Sequence, residues 1–171
     1  MPKRVPLRTV EDYENFIARL QEFERYADDH IELMRLGMQK GLTLPAIVME
    51  GYRQPIEAHV VDDPRKSVLH KPLSDFPVAF SSGDRKRLEE AGQRAIADSV
   101  VPGYRKFLKF MAEEYVPACR DNIGASALPN GRAFYRHRVK QYTTLDLTPQ
   151  EVHDTGLAEV KRIGAEMDEV V

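Results

Sequence analysis

The sequence has little of what marks several protein classes. Its 171 residues include one cysteine, Cys119, and no tryptophan. One cysteine can neither form an internal disulfide nor supply a zinc site built from several cysteines. The 25 Lys and Arg residues nearly balance 27 Asp and Glu, which argues against a dedicated nucleic-acid-binding domain. No apolar run approaches the roughly 20 residues of a membrane-spanning helix. We therefore expect neither a nucleic acid nor a membrane as a partner.

The first ten residues, MPKRVPLRTV, also lack a long apolar stretch, so they do not form a signal peptide. As the chain stands this predicts a cytoplasmic protein, while the compartment of a longer parent protein stays open. What is present is ordinary for a globular domain, with 42% hydrophobic and 30% charged residues. The length fits one domain with a sizeable core, and we expect residues 1–171 to form a single helical domain.

Apolar residues recur every three or four positions over most of the chain, which is the spacing of one helical face. This spacing predicts one long helix over residues 9–38 and another over residues 81–116. Pro102 should bend the second helix without ending it, because the apolar stripe resumes in phase beyond the proline. A shorter helix should open near Pro45, which is tolerated in a first helical turn.

The last third of the chain also carries helix signals. Residues 128–131, Leu-Pro-Asn-Gly, are typical of a turn, and a helix should follow over residues 132–142. Residues 148–151, Thr-Pro-Gln-Glu, form a capping box that starts a final helix. Prolines break every period at about 62–80, which predicts an irregular connection there. The fold class is therefore an all-α bundle of about five helices, two of them long and one kinked at Pro102.

The motifs of common catalytic centres are absent. There is no HExxH pair, P-loop, dinucleotide-binding glycine pattern or GxSxG elbow. No spacing gives Cys119 a neighbouring base, so it is best explained as a small core residue. His153 and Glu159 point about 120° apart on a helix and do not easily share a metal. His137 and His153 lie on different helices and support only a weak metal hypothesis. We expect no catalytic residue, metal ligand or cofactor in this chain.

Arg132, Arg136 and Lys140 repeat at four-residue spacing and place a basic face on the helix predicted over residues 132–142. A basic face can bind phosphate or a carboxylate terminus. The more common arrangement is a solvated face that pairs with acidic neighbours, and Asp146 and Glu151 are close in sequence. Both interpretations stay open at this point.

Residues 124–163 resemble the bacterial domain-of-unknown-function 885 family, DUF885. The most specific pieces are Leu128-Pro129-Asn130-Gly131, Tyr135, Thr144, Leu147-Thr148-Pro149, Glu151, His153, Gly156, Glu159 and Val160. The earlier layout is similar too, including the long helix that carries Val101-Pro102 and Tyr104. The likeness therefore covers most of the chain.

The resemblance implies a largely helical, zincin-like metallopeptidase that is much longer than this chain. In that family, zinc would be held by a histidine-rich motif of the HExxGHH type, downstream of the region that matches. This sequence contains no such motif, so no metal ligand carries over to it. The resemblance implies a catalytically incomplete helical segment, with zinc required only by the complete family members.

Within a complete enzyme, the matched segment would contribute to a peptide-binding groove. We expect Tyr135, His137, Arg138 and His153 to contact a peptide substrate, because tyrosine and histidine can donate to an oxyanion and arginine can pair with a carboxylate. The alternative is a self-contained helical module for protein interaction or homodimer formation, without enzymatic activity. Long amphipathic helices favour this alternative because they leave apolar stripes to be covered.

Overall fold

The computed structural model of the chain describes residues 6–170. These residues fall into two compact units, one ending at Asp121 and the other beginning at Asn122. Both units are helical, and no strand of a sheet forms within residues 6–170, which confirms the all-α prediction. The prediction of a single domain over residues 1–171 stays a prediction beside this division.

The first unit is built from α-helices joined by turns and by a longer irregular connection between α3 and α4. Its α-helices are α1 Val10–Gln21, α2 Phe23–Gln39, α3 Arg53–Glu57, α4 Ser82–Ala95 and α5 Val101–Phe110. The π-helical segments Ile96–Val100 and Met111–Tyr115 continue α4 and α5, so that one rod extends from Ser82 to Tyr115. The second unit contains α6 Gly131–Thr143 and α7 Pro149–Val170. Helices therefore form close to the predicted positions in both units.

Two of the helices begin with reciprocal side-chain caps, one of which is the capping box predicted at residues 148–151. At α1, the Thr9 hydroxyl accepts from the Asp12 N–H at 3.2 Å, and the Asp12 carboxylate accepts from the Thr9 N–H at 3.0 Å. At α7, the Thr148 hydroxyl accepts from the Glu151 N–H, and the Glu151 carboxylate accepts from the Thr148 N–H at 2.7 Å. Each pair of bonds satisfies backbone donors that a helix start otherwise leaves unpaired.

The prediction of one uninterrupted helix over residues 9–38 was wrong, because α1 and α2 meet at a break at Glu22. There, the Glu24 N–H donates to the Ser99 hydroxyl oxygen at 3.0 Å, and the Ser99 hydroxyl donates to the Gln21 carbonyl at 2.8 Å. A buried side chain from the neighbouring rod thus takes the place of backbone hydrogen bonds at this point.

Ser99 belongs to the π-helical segment Ile96–Val100, directly before Pro102. Proline lacks an N–H and its ring crowds the carbonyl four residues back, so an ideal α-helical turn is disfavoured there. A π-helical turn is wider by one residue and accommodates such a defect without ending the helix. The rod continues past Pro102 as predicted, and the irregularity lies in the turn that precedes the proline.

Glycine lets α2 and α5 approach closely just beyond this turn. A Cβ atom added to Gly103 would lie 2.9 Å from Phe23 Cδ1 and 3.2 Å from Glu24 Cα. Gly92 likewise allows the irregular connection at 62–80 to pack closely on α4. A Cβ atom added to Gly92 would overlap the Leu73 side chain, which is fully buried. The absence of a side chain at these two positions allows contacts that any larger residue would prevent.

Two hydrophobic clusters fill the first unit, and Tyr104 packs against both. The first contains Tyr13, Phe16, Ile17, Leu20, Leu73, Leu88, Ala95, Ile96, Val100 and Val101. The second contains Ile31, Ile56, Phe110, Met111 and Tyr115. The irregular segment predicted at 62–80 is present and contributes Phe76 and Phe80, whose rings lie 5.0 and 5.5 Å from the Tyr13 ring. Within residues 6–170, no helix is both long and apolar enough to cross a lipid bilayer.

His59 lies beside the junction of the two clusters. Its ring stacks on Tyr104, with centroids 4.2 Å apart and planes 11° from parallel. The Nδ1 atom of His59 is buried and has no hydrogen-bond partner among the described residues. Burial lowers the pKa of His59 below its ordinary value.

Replacing Gly103 by alanine should destabilise the protein, because the new methyl group would press on Phe23 and on the α2 backbone. We expect a loss of about 1–3 kcal/mol in the free energy of unfolding, measured by urea denaturation. The matched control is Gly156→Ala in α7, where an added Cβ meets nothing within 4 Å. That change should stabilise by about 0.5–1 kcal/mol. Equal effects of the two substitutions would contradict the close approach of α2 and α5.

The lowered pKa of His59 makes the stability of the protein depend on pH. As the pH falls below about 6.5, unfolded chains bind a proton at His59 before folded chains do. Stability should therefore decrease from about pH 6.5 downward and level off below the folded-state pKa. His59→Phe keeps a ring against Tyr104 and removes the titration, so denaturation midpoints of this variant should depend less on pH. An unchanged pH dependence in the variant would contradict this account.

Candidate functional site

A wide groove runs along the surface of the first unit beside α1, α2 and α5, and we call it the aromatic groove. Its volume is about 970 Å³, within the usual range for sites that bind small molecules or peptide segments. Its lining residues are Asn15, Ala18, Arg19, Glu22, Phe23, Tyr26, Ala27, His30, Met34, Tyr104 and Phe107. Most of these side chains are apolar or aromatic, so the groove is suited to an apolar partner surface.

Five rings follow one another from the core into the groove wall, and all but His59 line the groove. Starting from the stacked His59 and Tyr104, the Phe23 ring stacks on Tyr104 at 4.6 Å, Tyr26 follows Phe23 at 6.1 Å, and His30 follows Tyr26 at 4.0 Å. Phe23 and Tyr104 are partly buried in the first core cluster, whereas Tyr26 is 57% exposed. The series therefore leads from the core outward and ends in rings that are open to solvent.

Local structure explains why these rings meet. Phe23, Tyr26 and His30 are three or four residues apart, so they share one face of α2. Tyr104 directly follows Gly103, and the close approach at that glycine brings Tyr104 against Phe23. Burial raises the pKa of the Tyr104 hydroxyl, so this residue stays uncharged at neutral pH.

The polar groups of the groove are few and gather at its α1 end. Asn15 and Arg19 are one helical turn apart and both are exposed. No hydrogen bond or ion pair within residues 6–170 engages the Arg19 guanidinium. The Glu22 carboxylate, by contrast, is paired with Arg25 at 2.7 Å. This end of the groove thus presents an available cation and an amide donor.

Exposed salt bridges connect α2 to the rod beyond the close approach at Gly103. Lys106 bonds to the carboxylates of Glu24 and Asp28 at 2.8 and 2.9 Å. The Arg35 guanidinium donates twice to Glu114, at 2.6 and 2.7 Å, and holds the pKa of that carboxyl below its usual range. Exposed ion pairs of this kind contribute only modestly to stability, so their main effect is to orient α2 relative to the rod.

The residues predicted to contact substrate lie in the second unit and do not converge. Tyr135, His137 and His153 are exposed, and Arg138 is half-buried. Among the described residues, no hydrogen bond, ion pair or ring contact joins any two of these four. Their role in substrate binding stays a prediction.

On α6, the helix that carries the predicted basic face, two arginines are already engaged by neighbouring side chains. Arg138 donates to Gln141 at 2.7 Å and to the Tyr142 hydroxyl at 2.8 Å, and its guanidinium lies 4.8 Å from the centre of the Tyr142 ring. Arg136 pairs with Asp146 at 3.3 Å. These two arginines therefore bind partners within their own unit, and the partner of Arg136 is one of the acidic neighbours named above.

The described residues do not fit a zinc centre. Within residues 6–170, no three His, Cys, Asp or Glu side chains are placed to hold a metal ion together, whereas zinc sites need at least three protein ligands. Cys119 packs against the second core cluster, and burial raises the pKa of its thiol. A thiol with a raised pKa is a poor nucleophile at neutral pH, in agreement with the structural role expected for it.

The spacing of apolar residues does not predict the aromatic groove. Phe23, Met34 and Tyr104 pack one side against the core clusters and line the groove with the other. Tyr26 and His30 lie beside the α2 stripe at four-residue spacing and widen its apolar face. That widening is the signal that could have shown a second, solvent-facing aromatic surface.

Comparison with known proteins places this geometry in context. No curated protein matches the chain. A solved crystal structure described as "the putative lipoprotein from Colwellia psychrerythraea" is similar to it, with a TM-score of 0.78 and 21% sequence identity. The similarity covers 96% of this chain and 28% of that one, so this chain spans less than a third of the length of its solved relative. At this identity the likeness shows a shared fold.

The family is shown by sequence. A family model described as a bacterial protein of unknown function, DUF885, matches residues 1–171. This is the family that the Leu128–Gly131 turn and the capping box at Thr148 resemble. The match extends over both compact units, and the chain belongs to the DUF885 family.

Proposed function

We propose that this chain is the helical, non-catalytic part of a larger zinc-metallopeptidase-like protein, in which it helps to form the walls of a peptide-binding groove. The observation that carries the proposal is the coverage of the solved relative, where this fold makes up 28% of a longer chain. A fold that occurs as part of a longer chain has surfaces that face the rest of that chain.

The chemistry of the described residues supports a non-catalytic role. Zinc, in a complete protein of this kind, would polarise the scissile carbonyl and activate a water molecule. The described residues offer no ligand set for it. What they offer for contact with a peptide is a set of polar side chains on α6 and α7, namely Tyr135, His137, Arg138 and His153. We propose that these four side chains contact the peptide from the second unit.

We also propose an extracytoplasmic location for the larger protein. The solved relative is described as a putative lipoprotein, which supports a protein that acts outside the cytoplasm. This proposal replaces the cytoplasmic location expected from the first ten residues of the sequence.

The purified chain should neither bind zinc tightly nor hydrolyse peptides. We expect sub-stoichiometric zinc after dialysis, measured by elemental analysis, and no turnover of a fluorogenic peptide library with added zinc, because no three ligands converge. A known zinc peptidase in the same assay is the positive control. Chelator-sensitive turnover by the pure chain would overturn the proposal.

Self-association is a second candidate function, and the surface of α7 favours it. This helix exposes a series of apolar side chains three or four residues apart, which are Leu157, Val160, Ile163 and Met167. Such a stripe along one face is the pattern by which amphipathic helices associate. The isolated chain has no described element that covers it.

We expect the isolated chain to self-associate through this stripe. Sedimentation velocity should show a concentration-dependent coefficient for the unmodified chain, and Val160→Glu should abolish that dependence by placing a charge in the apolar contact. The matched control is Lys161→Glu, which makes a larger change in charge at the neighbouring position outside the stripe. A chain that stays monomeric at every concentration would exclude self-association.

A further inference from the structure

We propose that the aromatic groove binds an amphipathic helix that runs antiparallel to α2, with its carboxyl end beside Arg19. The helix is supplied by the remainder of the larger protein, so the inference rests on the proposed function. It adds to that function an internal binding site, with an occupant of defined secondary structure, direction and surface chemistry.

The shape of the groove matches a helix. Its lining residues on α1 and α2 run from Asn15 to Met34, a distance of about 28 Å at the rise of an α-helix. This is the length of about five helical turns. The wall residues repeat every three or four positions, so their side chains form a ridge against which a second helix can pack at the usual distance of about 8–10 Å between axes.

The scarcity of polar groups in the aromatic groove favours a helix over an extended peptide as its occupant. An extended segment brings unpaired N–H and C=O groups, and burying such groups without partners opposes binding. The walls are helices whose own backbone groups are already bonded, and the polar side chains of the groove lie mostly at its α1 end. A helix satisfies its backbone internally and presents only side chains to such a surface.

The charges set the direction of the bound helix. A helix carries partial negative charge and unpaired carbonyls at its carboxyl end. Arg19 and Asn15 can donate to these carbonyls, whereas Glu22 is engaged by Arg25. At the other end of the groove the lining consists of His30, Met34 and Phe107, with no arginine, lysine or carboxylate among them. The carboxyl end of the bound helix therefore lies beside Arg19.

The solved relative supports the larger protein as the source of this helix. This chain matches 28% of that longer, structurally similar chain, so most of such a protein is available to supply a covering helix. Tyr26 is more than half exposed in the isolated chain, and a covering helix would bury its ring. Aromatic residues that become buried in this way dominate the binding energy of interfaces.

The test uses the full 171-residue chain and a synthetic probe. The probe is an amphipathic peptide of about 18 residues, the length of five turns, with leucines at helical spacing and one tryptophan in the apolar stripe. The protein has no tryptophan, so peptide fluorescence reports binding without background. We expect saturable binding with a gain in helical circular dichroism. A peptide of the same composition with its apolar stripe scrambled should bind at least about tenfold more weakly.

Two variants locate the site and the direction. Tyr26→Ser should weaken binding by about tenfold, whereas Leu33→Ser should leave it unchanged. Leu33 is the matched control because it is also an exposed residue of α2 but does not line the groove. Arg19→Gln should weaken binding roughly two- to fivefold for a probe with a free carboxyl end, and less for the amidated probe. The circular dichroism of each variant confirms that it is folded.

Several results would overturn the inference. They are a lack of saturable binding, equal binding of the scrambled peptide, equal loss in Tyr26→Ser and Leu33→Ser, or tighter binding by a proline-containing peptide that cannot form a helix. An Arg19→Gln effect of equal size for the free-carboxyl and the amidated probe would overturn the direction. These measurements need neither zinc nor hydrolysis, so peptidase turnover by the pure chain would remove the proposed function without changing them.

Discussion

The Ser99 hydroxyl, buried where α2 crosses the long rod, is the interaction on which the architecture of the first unit depends. It accepts from the Glu24 N–H and donates to the Gln21 carbonyl, so one side chain satisfies two backbone groups that the break between α1 and α2 would leave unpaired. Gly103, one helical turn further along the rod, removes the side chain that would otherwise hold α2 away. The hydrogen bonds of Ser99 and the missing Cβ atom of Gly103 thus together fix the place where α2 meets the rod.

The aromatic groove is a consequence of this crossing. Close approach at Gly103 brings Phe23 onto Tyr104, and His59 covers the other face of the Tyr104 ring. The rings that remain, Tyr26 and His30, then have no place in the core and face solvent. Packing inside the unit and the open aromatic surface therefore arise from the same geometry, which links the stability of the fold to the surface that we propose for binding.

Local signals predicted much of the fold. The capping residues Thr9 and Thr148 act within three residues of themselves, and the spacing of apolar residues gave the all-α class. The break at Glu22 depends on Ser99, which lies 78 positions from the Gln21 carbonyl that it bonds, and no local pattern reports such a partner. For the same reason the groove was not predicted, because the rings of α2 and α5 meet only in three dimensions.

The π-helical turn at Ile96–Val100 absorbs one extra residue within the rod. Such a turn holds one residue more than an α-helical turn, and a single residue corresponds to about 100° around a helix. Deleting one residue there would turn the wide turn into an α-helical one, so Tyr104 and Phe107 would keep facing α2, whereas the same deletion in an α-helical turn would rotate them by about 100°. The wide turn is therefore a place where related proteins can gain or lose a residue while the rod keeps the same face toward α2.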